Sequence, residues 1–135
     1  MPETSQRITT GVAGLDDVLH GGLIASRLYL IEGNPGAGKT TLAQQFLLDG
    51  IRRGERCLYI TLSETEEELR EGARSHGWNL DGIDIVELID TDADVSEEGE
   101  LTLFHPSEVE LGEATRRIFR AIEATEPQRL VFDSL

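Results

Sequence analysis

Apolar positions along this chain switch between two rhythms. Residues 27–31 (R-L-Y-L-I) form a short, nearly continuous apolar run, which predicts a strand buried on both faces. A glycine-rich turn follows. From residue 39 to 53 the apolar side chains Ala43, Phe46, Leu47 and Ile51 recur at helical spacing, with Arg52, Arg53 and then Gly54 suiting a helix C-terminus. Residues 57–62 are a second strand-like run. Thr65, with Glu68 three residues on, makes a capping box for a helix reaching about His76 and stopping at Gly77. Residues 83–89 predict a third strand, and the acidic stretch 90–100 an exposed loop. Pro106 opens a further helix, with Leu111, Ala114, Ile118 and Ile122 on one face, and Glu126-Pro127 ends it. Residues 130–133 are a fourth strand. Strands alternating with helices predict an α/β fold with a mostly parallel central sheet.

Composition narrows this picture. The 135 residues are enough to bury a core without a disulfide or metal staple. No apolar run is long enough to cross a membrane, and residues 1–5 lack the pattern of a signal peptide. The single cysteine, Cys57, allows no internal disulfide and suits a reducing compartment, so the expected location is the cytoplasm. A net charge of -14 repels nucleic acid and anionic membranes over most of the surface. Cations are lopsided: all are arginine except one lysine, Lys39.

That lysine sits in Gly33-Asn34-Pro35-Gly36-Ala37-Gly38-Lys39-Thr40, which matches G-x-x-x-x-G-K-[ST] between a predicted strand and a predicted helix. Glycines let successive backbone N–H groups turn inward on phosphate oxygens, and the helix adds its positive N-terminal end. Lys39 is expected to reach the β- and γ-phosphates, Thr40 to give its hydroxyl to Mg²⁺, and Thr41 to lie among the nucleotide contacts. The second half of such a site is a carboxylate ending an apolar strand, and Asp133 supplies it. Glu64 ends the second run, at the edge where ligands bind in parallel sheets, and is the candidate base for an attacking water. Glu66, Glu67 and Glu68 are explained by the dipole of the helix they begin.

Before the cradle, Thr10-Gly11-Val12-Ala13-Gly14-Leu15-Asp16-Asp17-Val18-Leu19-His20-Gly21-Gly22-Leu23 resembles the T-G-x-x-x-L-D-x-x-L-x-G-G-[IL] lead-in of RecA-like P-loop ATPases. Within them the chain is most similar to the KaiC-like branch. Residues 58–69, Ser75-His76-Gly77-Trp78 and Phe104-His105-Pro106-Ser107-Glu108 carry that likeness further. The resemblance implies a three-layer fold and Mg²⁺-dependent ATP binding and hydrolysis in a ring or filament of like subunits. By the same carry-over, Lys39 and Thr40 are the phosphate and Mg²⁺ contacts, Asp133 the second Mg²⁺-side acid, and Glu64 the water-activating glutamate. The clock proteins have two adjacent glutamates where this chain reads Ser63-Glu64, which favours hydrolysis over glutamate-assisted autophosphorylation. The resemblance also places a sensor strand, and basic residues reaching a neighbouring subunit, beyond Leu135. Residues 1–135 are therefore expected to be the N-terminal portion of one ATPase domain, ending after the Asp133 strand. Alone, such a portion is expected to bind nucleotide weakly and hydrolyse it poorly.

Two other functions compete. One is a nucleotide-gated scaffold or signalling module with a partner protein and little turnover. The other is a RecA-type DNA recombination ATPase, which the acidic charge disfavours. The remaining features have structural explanations. His20, His76 and His105 show no metal-ligand spacing, Cys57 is expected to be a buried thiol, and Trp78 to pack over a helix end. Glu113 is placed to pair with Arg116 and Arg117 on a solvated helix face that also carries Arg120.

Overall fold

A computed structural model describes residues 5–88 and 108–134. Strand β1 (Arg7–Ile8) and strand β2 (Leu23–Ile24) pair antiparallel around the short helix α1 (Ala13–Val18). Helix α2 (Lys39–Arg52), strand β3 (Cys57–Thr61), helix α3 (Glu66–Ser75), strand β4 (Ile83–Glu87), helix α4 (Glu108–Thr125) and strand β5 (Arg129–Asp133) follow in that order. The main sheet runs β4-β3-β5, all parallel, with Tyr59 opposite Ile85 on one side and Val131 on the other. The α/β class and the parallel sheet agree with the sequence pattern.

Because side chains alternate along a strand, β3 serves two faces. Cys57 and Tyr59 join Leu47 and Leu48 of α2, Leu69 and Ala73 of α3, Leu80 and Ile83 in one core cluster. Leu58 and Ile60 point the other way and are equally buried, on a strand that α4 also contacts. A strand apolar on both faces belongs at the centre of a layered sheet, which is where β3 lies. Helix α3 starts with the N-cap half of its capping box: the Glu68 amide donates to Thr65 Oγ1 at 3.1 Å, and the Glu68 carboxylate turns back to accept from the Thr65 hydroxyl. It ends before Gly77, whose φ of +75° is the left-handed value of a helix stop. Trp78 packs against the core at that end and stacks on His76, centroids 4.7 Å apart.

Three expectations are corrected. Residues 27–31 form no strand, and Leu28, Leu30 and Ile31 are exposed, Leu28 at 97%. A strand exists through its hydrogen-bonded ladder, and no neighbour pairs with this run among the described residues. Leu111 is exposed, whereas Ala114, Ile118 and Ile122 on the same helix are half-buried. Arg117 makes no pair with Glu113; its guanidinium donates to the Glu87 carbonyl at the end of β4, 2.6 Å away, where a freed backbone acceptor attracts it. The predicted loop 90–100, Pro106, Ile89 and His105 lie outside the described residues.

Two of the lead-in glycines, Gly11 and Gly22, serve close packing. A Cβ on Gly11 (φ +85°) would come within 2.6 Å of the Gln45 carbonyl on α2. One on Gly22 (φ +124°) would come within 2.2 Å of the Ile8 carbonyl. Asp16 accepts from both the amide and the hydroxyl of the buried Thr10, at 2.8 and 2.7 Å, closing the turn between β1 and α1. These residues hold the N-terminal ribbon against the helix that follows the cradle.

Candidate nucleotide site

The cradle is an exposed turn running into α2. Gly36 (φ +83°) and Gly38 (φ +102°) adopt left-handed backbone, and a Cβ on either would meet nothing. These two glycines are therefore required by conformation and not by crowding. Gly38 is the N-cap of α2 and carries no side chain to satisfy the first helical amides, which stay available to an anion. The Ala37 amide bonds to the Asn34 carbonyl at 3.0 Å and fixes the bend around Pro35. Lys39 turns back over the loop, and its ammonium donates to the carbonyls of Gly33 and Asn34. It is thereby held beside the cradle.

Thr40, one residue further, faces the sheet. Its hydroxyl donates to Asp133 Oδ2 at 2.7 Å, across 93 residues of sequence. Asp133 is the last residue of β5 and stands opposite Thr61, the last of β3. Glu64 lies just beyond. The buried Thr61 hydroxyl donates to the Glu64 carbonyl at 2.7 Å and accepts from the Glu64 amide at 3.1 Å, so the backbone of Glu64 is tied to the strand end. Partial burial pushes the Glu64 carboxyl above its ordinary range, and the nearby Asp133 and Glu68 carboxylates add to this. A cavity of about 130 Å³ opens beside it, with Thr40, Thr41, Gln44, Glu64, Glu68 and His76 in its walls. Thr40, Asp133 and Glu64 thus converge at the carboxyl end of the parallel strands, where open α/β sheets bind ligands, while the Lys39 ammonium stays over the cradle loop.

Some contributors carry no motif in the sequence. Tyr59 reads there as one more core residue of an apolar run, yet its hydroxyl donates to Asp133 Oδ2, the oxygen that Thr40 also reaches. Thr61 is legible only as a strand residue until the Glu64 turn is seen. Arg129 precedes the apolar part of β5. Its guanidinium is buried, pairs with Asp49 and Glu55 at 3.1 Å each, and donates to the carbonyls of Thr9 and Phe46 at 2.7 Å each. A buried cation with four acceptors ties the lead-in, α2 and the start of β5 together at the opposite end from the cradle. Among the described residues, no group of three or more histidines, cysteines or carboxylates is placed to hold a metal ion. No helix there is long and apolar enough to cross a membrane.

A family model described as "ATPase: KaiC" matches residues 8–135. The chain belongs to the KaiC ATPase family. It is 31% identical over 137 residues to a UPF0273 protein of Thermotoga maritima, covering 96% of this chain and 56% of that protein. It is 34% identical over 132 residues to the circadian clock oscillator protein KaiC of Thermostichus vulcanus, covering 96% of this chain and 25% of that one. A 75-residue stretch is 40% identical to circadian clock protein KaiC3 of Synechocystis, covering 56% of this chain and 15% of that one. The chain spans little more than half the length of the first of these relatives and less of the others. Membership in the KaiC family makes this a RecA-like P-loop ATPase domain by descent, as the lead-in and cradle together suggested.

Proposed function

We propose that the protein binds ATP with Mg²⁺ and hydrolyses it, and that turnover switches the conformation of a homo-oligomer in the cytoplasm. The observation that carries this reading is the Thr40–Asp133 hydrogen bond, which joins the end of the cradle to the acid-ended strand. The donor set fits a hard divalent cation: a hydroxyl and a carboxylate, both oxygen donors, in contact. Thr40 and Asp133 are the residues that would hold Mg²⁺, and the ion would neutralise charge on the phosphate oxygens. The backbone N–H groups of Gly36, Gly38 and the first residues of α2 would meet the phosphates, Pro35 having none and that of Ala37 being bonded to Asn34, and Thr41 stands on the same first turn. Lys39 exchanges its carbonyl partners for phosphate oxygens. Glu64, held by Thr61 and with its carboxyl raised in pKa, accepts the proton of the attacking water.

Binding of a fluorescent ATP analogue, with and without Mg²⁺, tests the first half. Lys39→Ala removes one charge-assisted contact worth about 1.5–3 kcal/mol, so affinity is expected to fall by ~10-fold or more. Glu64→Gln is expected to leave binding intact and lower turnover by about 10²–10⁴-fold. Assembly that persists in Glu64→Gln, together with unimpaired function, would instead favour a scaffold gated by nucleotide. Unchanged affinity in Lys39→Ala would remove the cradle from the reading.

A further inference from the structure

We infer that Tyr59 is a positioning residue for the Mg²⁺-side carboxylate, fixing its orientation so that one oxygen of Asp133 is held by the protein and the other faces the metal site. The inference rests on the nucleotide-binding reading above and deepens it. Tyr59 lies at the centre of β3 and pairs in register with Val131, two residues before Asp133. Tyr59, Val131 and Asp133 therefore share one face of the sheet, and Asp133 is the diagonal cross-strand neighbour of Tyr59. Such diagonal pairs are too far apart for short side chains but within reach of an aromatic one. The ring spans the gap inside the core, 1% exposed, and its hydroxyl meets Asp133 Oδ2 at 2.5 Å.

Thr40 donates to that same oxygen at 2.7 Å. Two protein donors thus converge on Oδ2, and among the described residues none is assigned to Oδ1. Rotation of a carboxylate about its last torsion is broad, so a single donor leaves the plane of the group free to swing. A second, buried donor from another strand removes that freedom and leaves Oδ1 to face the ion or its waters. Tyr59 suits this task because its hydroxyl is a donor carried on a ring buried in the core and aimed at that oxygen. A phenylalanine would fill the same core volume and give no such control.

The test is a Mg²⁺ titration of fluorescent-nucleotide binding by wild type and Tyr59→Phe, with binding in EDTA measured alongside. The expected result is a Mg²⁺ midpoint raised about 10-fold or more, as for other groups that orient metal ligands, with unchanged affinity in EDTA. In an Asp133→Asn background, Tyr59→Phe should shift the midpoint no further. An unchanged midpoint in Tyr59→Phe overturns the inference. So does a loss of affinity that is the same with and without Mg²⁺, because that is the mark of a packing defect. Absence of nucleotide binding by wild type at every Mg²⁺ concentration removes the underlying reading and the inference with it. The unmutated protein offers a second measurement: the buried hydroxyl proton of Tyr59 should shift by NMR when Mg²⁺ joins bound nucleotide, and an unmoved resonance overturns the proposal.

Discussion

Replacing Arg129 with methionine should be among the most damaging single changes outside the nucleotide site. Methionine keeps an unbranched apolar stem of similar length, so the loss is confined to the guanidinium. That group is 1% exposed and serves two carbonyls, on Thr9 and Phe46, and two carboxylates, on Asp49 and Glu55. It also lies over the Phe46 ring, 4.8 Å from the centroid. Removing one partner of a buried ion pair costs about 3–5 kcal/mol, because the other is left charged and poorly solvated. Asp49 and Glu55 keep 12% and 18% exposure, so water recovers part of the loss and the low end, about 3 kcal/mol, is expected. Arg129→Lys keeps the charge but replaces a planar fork by a point donor that cannot reach four acceptors, so an intermediate cost of about 1–2 kcal/mol follows. Urea unfolding followed by Trp78 fluorescence measures both variants. The deficit should narrow in acid. Burial raises the Asp49 pKa, but its hydrogen bonds with Thr9 and Arg53 and the charges of Arg129 and Arg53 outweigh that and hold it below 3.8. A carboxylate with a depressed folded pKa gives stability above its unfolded pKa and loses it as pH falls through the folded one. A cost below about 1 kcal/mol for Arg129→Met at neutral pH would show that the cluster is not what ties the lead-in to the sheet.

Gly50 and Gly72 are both helical, and alanine should act oppositely at the two. At Gly72 a Cβ meets nothing, so Gly72→Ala should stabilise by ~0.5–1 kcal/mol, whereas at Gly50 it would stand 2.7 Å from Arg129 Cδ and Cys57 Sγ, and overpacking of about 1–3 kcal/mol should exceed the propensity gain. Thermal unfolding of the pair reads the sign directly. The Cys57 thiol is buried and burial pushes its pKa up to about 11, so a thiol reagent at pH 8 should label it only as fast as the protein unfolds, and immediate labelling of native protein would contradict the placement. Glu64→Gln should stabilise the nucleotide-free protein at neutral pH and not at pH 4. A folded pKa above the unfolded one means that stability falls as pH rises through that interval, and glutamine abolishes this loss; a variant advantage independent of pH would refute it.

The local chemistry of this site was legible from one strand of text. Gly36 and Gly38 had to be glycine because the turn needs left-handed backbone, and Lys39 and Thr40 follow from the same turn. The Thr65 capping box and the Gly77 stop are equally local, since their donors and acceptors lie within a few residues. Residues 27–31 show the limit of such reading. Their apolar run signals a strand, but a strand needs a ladder partner, and hydropathy names none. Leu111 fails for a related reason: helical periodicity assigns a face without saying how far the neighbouring sheet extends beneath it.

What the sequence determined by itself was therefore the set of groups proposed to hold phosphate and metal, together with the α/β alternation that presents them. Only the tertiary structure decided which groups meet. Parallel register places Asp133 opposite Thr61 and diagonally across from Tyr59, and the packing of α2 against that face carries Thr40 to the same carboxylate. The Arg129 cluster likewise joins residues 9, 46, 49, 55 and 129, which no local pattern relates. A motif records bonding needs within a few residues of chain, whereas the orientation of a carboxylate is set by donors that arrive from other strands.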